Sequence, residues 1–344
     1  SDRVVDVPEG SVRIVLSAGL ARMGSKYGAN ALRLVHLDAG VTRGQLLAAA
    51  VGHGFQPQLH LRSDTEELQR QIRRPRKSDP ITCMVSFQVR EDRQRTSTMA
   101  SSGRKADGEA SGAGRPEGAG RPEETEESAE SPGVLDTLLR FAEDGSDTTA
   151  TRAVGAAFAS LDAGIPDRSS HRMWEQRPVG PDVVSRVASR IMEARNELAQ
   201  GTASPRTDFA VIGQRVEGTS PRSWDITAEG SLELITRLED QPLADAVIQP
   251  EYSLAPVLVV ATVRLAELSR WGGSRAYLDA LMEAGTGLHA GWLEMRRHGL
   301  EGGVFAGILP DKSVKRLLNG SLWDRRPVLA LAMGHPLPSE KEQA

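Results

Sequence analysis

The chain has one cysteine, Cys83, in 344 residues. An internal disulfide is therefore excluded, a cysteine-built zinc site has no ligands, and a reducing, cytoplasmic setting is expected. Aromatic residues are scarce at 4% of the total, and Trp224, Trp271, Trp292 and Trp323 are assigned to core or interface rather than to a substrate platform. The formal net charge is only −4, which leaves no field to recruit nucleic acid or an anionic membrane. No apolar run reaches membrane-spanning length, and no cationic leader followed by an apolar stretch opens the chain. A phosphate-binding Gly-x-x-x-x-Gly-Lys-Ser/Thr loop is missing as well, and no histidine has a partner at metal-ligand spacing, so no metal is expected. The expectation is a soluble intracellular protein with neither nucleic-acid nor membrane partners.

What the chain does contain is a repeat. Ala39-Gly40 and His53-Gly54 recur as Ala284-Gly285 and His298-Gly299, at one common offset of 245 residues. Two copies of a unit predict two like domains packed as a pseudo-dimer, and the length suffices for two cores. The front edges of the copies differ: Gly24-Ser25-Lys26-Tyr27-Gly28 in the first faces Gly272-Gly273-Ser274-Arg275 in the second. Reactive side chains on one copy only suggest that one half lends chemistry to a site built mainly by the other.

Between the copies, from about Asp92 to Pro132, the sequence is Ser, Gly, Glu, Ala, Arg and Pro with almost no large apolar residue. Such a stretch cannot offset its ordering entropy by burial and is expected to be a disordered linker. Three regions follow: a truncated domain over 1–91, the linker over 92–132, and a complete domain over 133–344. In the first, the apolar pattern of 29–52 predicts one or two helices, Asp64 begins a helix with Glu67 three residues on, and Ile81–Val89 is a strand. The second repeats that order as a helix over 275–298, an apolar stretch Val304–Leu309, a helix from Asp311 to Leu318 and a strand Val328–Met333. Ahead of this unit the pattern predicts helices at Val134–Ala142, Pro181–Ala199 and Thr227–Arg237, with strands at Asp208–Val216 and Pro256–Val263. The fold class is α+β, one sheet per domain covered by helices, with the first copy reduced to its back half.

Two segments carry candidate chemistry. In Arg168-Ser169-Ser170-His171-Arg172-Met173-Trp174, two guanidiniums and two hydroxyls can converge on a phosphate. That segment, followed by Pro178, resembles the Arg-Arg-Ser-x-Arg-x-aromatic opening of the nitroreductase-like flavoprotein superfamily, with Ser169 where the second Arg often stands. The C-terminal part is similar too: Arg275-Ala276-Tyr277-Leu278, Glu283-Ala284-Gly285, Gly299-Leu300, Ala306-Gly307-Ile308 and a strand ending at Gly334 follow the family's central helix, turn and final strand. The resemblance implies a nitroreductase-like FMN fold in tandem. Arg168, Ser169, Ser170 and Arg172 would hold the phosphate and ribityl chain, and the turn at Ala306 and Gly307 would offer backbone N–H groups to the isoalloxazine. The basic residue that family members often place after the last strand is absent, for Gly334-His335-Pro336 leads into an acidic tail.

In the first copy, Lys26-Tyr27-Gly28, Leu32-Arg33 and Leu37-Asp38-Ala39-Gly40 resemble the signature of SagB-type, McbC-like azoline dehydrogenases, although Val41 stands where many of them have His. Lys26 and Tyr27 would then be the acid/base pair, placed in the Gly-bracketed entry to the helix. Aromatising an azoline removes a hydride from one ring carbon and a proton from its neighbour, so a flavin and a base are both needed. The resemblance implies an FMN-dependent oxidase of thiazoline or oxazoline rings in a ribosomal peptide, reoxidised by dioxygen, with a precursor peptide and a cyclodehydratase as partners. It leaves a homodimer open. Two other readings share the fold: an NAD(P)H-dependent nitroreductase-like enzyme, and a flavin-free scaffold or regulatory protein.

Overall fold

The structure is a computed structural model that describes residues 10–17, 19–60, 81–88, 151–159, 161, 165, 170–199, 207–239, 243–271 and 273–337. In chain order the elements are β1 (Ser11–Ser17), α1 (Leu20–Tyr27), α2 (Asn30–Gly52), β2 (Gln58–His60), β3 (Ile81–Gln88), β4 (Thr151–Ala153) and α3 (Pro181–Ala199). There follow β5 (Thr207–Gly213), β6 (Arg222–Ile226), β7 (Leu232–Arg237), β8 (Val257–Val263), α4 (Leu265–Trp271), α5 (Gly273–Arg296), β9 (Glu301–Phe305), α6 (Pro310–Leu317) and β10 (Arg326–Gly334).

Six strands form one antiparallel sheet in the order β7-β6-β5-β8-β10-β9. Its centre is β8, Val-Leu-Val-Val-Ala-Thr-Val, buried at every position. A strand covered on both faces reads as an unbroken apolar run, and alternate residues go to opposite layers. Val257, Val259, Ala261 and Val263 meet α3 and α5, whereas Leu258 and Val260 meet Leu243, Val247, Tyr252 and the end of α6. Pro181 and Asp182 open α3 in the way helix N-termini favour, and its core side carries Val184, Val187, Ile191 and Leu198. From Ala280 to Met295 every residue of α5 is buried. The glycines make that possible: a Cβ on Gly291 would lie 2.6 Å from Ile191 Cγ1, and one on Gly287 would lie 2.8 Å from Phe209 Cζ.

The second sheet has four strands in the order β1-β3-β2-β4. Its core joins Leu47 and Ala48 of α2 to Leu59, Val85 and Phe158, with Leu198 of α3 and Leu293 of α5 closing the far side. The repeat is therefore structural. Elements β1-α1-α2-β2-β3 recur as β8-α4-α5-β9-β10, and the order β1-β3-β2 recurs as β8-β10-β9. Leu20 and Leu265 open equivalent helices, and Ile81 and Arg326 open equivalent strands, each at the offset of 245. The two long helices α2 and α5 pack against each other at the glycines of the Ala-Gly pairs. Among the described residues, β5, β6, β7 and α3 have no counterpart in the first copy.

Most expected elements are present within a few residues, and 29–52 forms one helix. Thr227–Arg237 is a correction. That segment is a turn and the strand β7, not a helix. Gly230 has φ of 84°, and hydrogen bonds between Thr227, Gly230 and Ser231 fold the chain back so that Leu232–Arg237 pairs with β6. The Glu233-Leu234-Ile235-Thr236 run satisfies a helical apolar spacing as well as a strand, and the glycine turn decides between them. The helix starts expected at Val134 and Asp64 lie outside the described residues, as does the segment 92–132.

Candidate active site

Ser170 to Trp174 lies along β9 and the exit of β10. The His171 N–H donates to the Gly302 carbonyl at 2.8 Å, Trp174 Nε1–H donates to the Glu301 carbonyl at 3.0 Å, and the Glu175 N–H donates to the His335 carbonyl at 2.9 Å. Gly303 allows the approach, because a Cβ there would lie 2.8 Å from Ser170 Oγ. Ser170 is exposed. Arg172 is also largely exposed and forms a 3.4 Å ion pair with Glu251, while its guanidinium lies 5.9 Å from the centre of the Tyr252 ring. Tyr252 in turn stacks on Phe305 with ring centres 3.8 Å apart. Arg168 and Ser169 lie outside the described residues.

The turn after β9 is held from both sides. Ile248 N–H donates to the Gly307 carbonyl at 2.7 Å. From the first copy, Arg33 Nη2 reaches across to donate to the Ala306 carbonyl at 3.2 Å. Two polar atoms beside this turn are shielded from solvent and have no hydrogen-bond partner: Arg33 Nε and Gln249 Oε1. The Gln249 oxygen lies 2.4 Å from where a Cβ on Gly307 would be, so a larger residue there would have to displace the Gln249 carboxamide. Burial lowers the Arg33 guanidinium, with the phenol of Tyr277 opposing the shift and Arg326 adding to it. Burial also raises the Tyr277 phenol, against the pull of the same two arginines.

Lys26 and Tyr27 are the last two residues of α1, and Gly28 after them takes φ of 54°, which permits the break before α2. They stand at the exit of one helix and the approach to the next. Both are exposed, Tyr27 by 40%, and Lys26 Nζ lies 5.1 Å from the Tyr27 ring centre. No hydrogen bond or ion pair joins either to Ser170 or Arg172. The same helix nevertheless packs on the second copy, since Leu20 and Met23 share a core with Tyr277, Val304 and Ala306. One turn beyond Arg33, His36 is buried; its Nδ1 donates to the Leu32 carbonyl at 2.8 Å, and burial lowers its pKa. Among the described residues no group of His, Cys, Asp and Glu could hold a metal ion, and no helix is long and apolar enough to cross a membrane.

Residues 165–335 match the family model described as the nitroreductase family. This stretch is a nitroreductase-family domain. The fold extends beyond it: a solved protein of Anabaena variabilis, assigned as a nitroreductase, superposes with a TM-score of 0.65 at 16% identity, over 94% of this chain and 69% of its own. Partial likenesses include a nitroreductase-type protein of Desulfovibrio desulfuricans in complex with FMN, at 15% identity and a TM-score of 0.35, covering 54% of this chain and 95% of its own. Another is the E. coli microcin synthetase McbBCD complex with a truncated pro-peptide bound, at 15% identity and a TM-score of 0.39, covering 50% and 72%. No curated protein sequence matches the chain. The nitroreductase family is a family of FMN oxidoreductases.

Sequence reasoning gave no role to Arg33 of the first copy, nor to Gln249, Glu251 or Tyr277 of the nitroreductase-family domain. Arg33 stands in the quoted Leu32-Arg33 pair, but nothing local tells that it reaches a residue 273 positions later. Gln249 follows no motif at all. Its signal is a buried oxygen without a partner, which only coordinates display.

Proposed function

We propose that the chain binds FMN and oxidises thiazoline or oxazoline rings of a ribosomally made peptide to azoles. The observation that carries this reading is the hydrogen bond from Arg33 to Ala306. It puts the helix that directly follows Lys26-Tyr27-Gly28 against the turn where the resemblance expects the isoalloxazine.

The residues present fit the cofactor. Buried polar atoms are normally paired, yet an unpaired donor at Arg33 and an unpaired acceptor at Gln249 flank the same two-residue turn. The pyrimidine edge of a flavin offers both carbonyl acceptors and an N–H donor, so Arg33 and Gln249 would hold that edge. Ser170 and Arg172, with Arg168 and Ser169 ahead of them, would hold the ribityl chain and phosphate. When bound, FMN supplies the two-electron acceptor that takes the ring hydride. The protein's share is the proton: Lys26 Nζ or Tyr27 Oη, adjacent and exposed at the end of α1, takes it from the neighbouring ring carbon. Dioxygen, reduced to hydrogen peroxide, returns the system to its oxidised state. A precursor peptide and the cyclodehydratase that forms its azolines are the partners this chemistry requires.

The test is azole formation on an azoline peptide, followed by mass loss of two hydrogens. Lys26→Ala is expected to keep FMN and to slow azole formation by roughly 10²–10⁴-fold, the usual worth of a general base. Retained azole formation after changing both Lys26 and Tyr27 would overturn the assignment. The exposure of Lys26 and Tyr27 favours a second reading, a nicotinamide-driven reductase with an open face. Rapid bleaching of the bound flavin by NADPH, with no turnover of an azoline peptide, would establish it instead.

A further inference from the structure

A pseudo-dimer has two equivalent places for every site, one per copy. The second copy's place is bounded by Gly302, Gly303 and the segment from Ser170. The first copy has the same arrangement, made of different residues. The offset of 245 puts Pro57 and Gln58 at the positions of Gly302 and Gly303. The strand β4 then lies on the first copy as Ser170–Trp174 lies on the second. The Val154 N–H donates to the Pro57 carbonyl at 3.0 Å just as the His171 N–H donates to Gly302, and Ala153 pairs with Gln58 as Ser170 meets Gly303. Ala153 therefore stands for Ser170, Val154 for His171 and Gly155 for Arg172.

Two of these changes remove side chains that the phosphate-binding reading assigns to the second copy, Ser170 and Arg172. The Ser170 hydroxyl becomes a methyl, the Arg172 guanidinium disappears although the same register sets Arg152 in place of Ser169, and the bare backbone of Gly303 becomes a glutamine. The backbone donors are spent too. The Glu197 carboxylate accepts from the N–H groups of Gly155, Ala156 and Ala157, the latter two at 2.9 Å, and Arg190 donates to the Ala157 carbonyl at 3.1 Å. Gly155, at φ of 141°, is wedged so that a Cβ would lie 2.7 Å from Val51 Cγ2. Phe158 and Leu161 complete the seal and are fully buried.

We infer that the first copy's cofactor place has been closed by the chain's own β4 segment and Glu197, so that each chain holds one flavin in the second copy. This rests on the FMN reading above. Consequently the first copy holds no flavin of its own and lends Arg33 and the Lys26-Tyr27 pair to its neighbour's site, so that a single chain carries one active centre without symmetry.

The full chain, saturated with FMN, would be weighed by native mass spectrometry and examined by phosphorus NMR. One FMN per chain and one bound phosphate resonance are expected. Two per chain would overturn the inference while leaving the flavin reading intact. None would overturn both. Grafting the first copy's residues onto the second tests the same point: Ser170→Ala with Arg172→Gly, at exposed positions that leave the fold unchanged by circular dichroism, is expected to weaken FMN binding at least tenfold. Unchanged affinity in that variant would show that the substitutions do not explain the closure, and would sink it.

Discussion

Gly40 and Gly285, the same position in the two copies, pack directly on each other. A Cβ on Gly40 would lie 2.4 Å from the Met282 carbonyl oxygen, and one on Gly285 would lie 2.4 Å from that of Leu37. Met282 and Leu37 are themselves counterparts at the offset of 245. Beside the crossing, Thr286 Oγ1 donates to the Gly40 carbonyl at 2.8 Å and accepts from Arg43 Nε at 2.9 Å. The local pseudo-two-fold axis of the chain thus passes between two glycines.

Substitution there should oppose the usual helix preference. Alanine in a helix is favoured over glycine by about 1 kcal/mol, but backbone cannot move aside as a side chain can. Gly40→Ala is expected to lower stability by roughly 1–3 kcal/mol, the range for overpacking. Gly24→Ala, in α1 with nothing within 4 Å, is expected to raise it by up to about 1 kcal/mol. Urea unfolding compares the two. Gly40→Ala with Gly285→Ala should cost less than the sum, because one separation of the helices relieves both clashes.

Arg33 should be felt in cofactor binding before it is felt in folding. Arg33→Met keeps the apolar stem and removes a charged donor, a hydrogen bond of about 1.5–3 kcal/mol. FMN affinity is expected to fall roughly ten- to hundredfold, by fluorescence titration, with unfolding midpoints close to the parent's. An unchanged Kd would separate Arg33 from the cofactor.

Cys83 should be inert. Burial pushes its thiol up to about 11, with Arg43 pulling the other way. A thiolate is the reactive form, so a disulfide reagent at pH 8 is expected to label no thiol in the folded chain and one per chain in denaturant.

Acid should weaken the fold through its buried imidazoles. His36 is lowered chiefly by burial, and His60 by burial and then Arg13. In the unfolded chain both titrate near about 6.5. Below that value the unfolded state binds the more protons, so stability is full above it and declines as pH falls toward the folded values. The urea midpoint is expected to be lower at pH 5 than at pH 7.5, and His36→Gln should flatten that slope. An unchanged slope in the variant would mean that other groups set it.

What the sequence displayed depended on distance. The 245-residue repeat was visible because Ala-Gly and His-Gly pairs mark where helices cross and end, the glycines held there by close backbone packing or by positive φ. His53 does cap α2, its N–H donating to the Ala49 carbonyl, and His298 Nε2 lies 3.3 Å from Glu294 Oε1 just past α5. The buried runs of β8 and β10 were equally plain. Strand β1, by contrast, carries Arg13 among half-buried neighbours at a sheet edge and made too weak a pattern to be singled out. In β7 a two-residue and a three-to-four-residue period both fitted, and the glycine turn settled it. The contacts at the candidate site, Arg33 with Ala306 and Gln249 beside Gly307, join remote residues and leave no trace in spacing.

One connection has a consequence for where the chain can be broken. The chain leaves the four-stranded sheet at Gln88, the end of β3, and re-enters the same sheet at Thr151, with only β2 between the two strands. Departure and return are each anchored by hydrogen bonds to the same strand, β2. Among the described residues, a break between Gln88 and Thr151 would thus leave every strand pairing of the four-stranded sheet in place: β3 stays bonded to β1 and β2 on one piece, and β4 returns to β2 from the other.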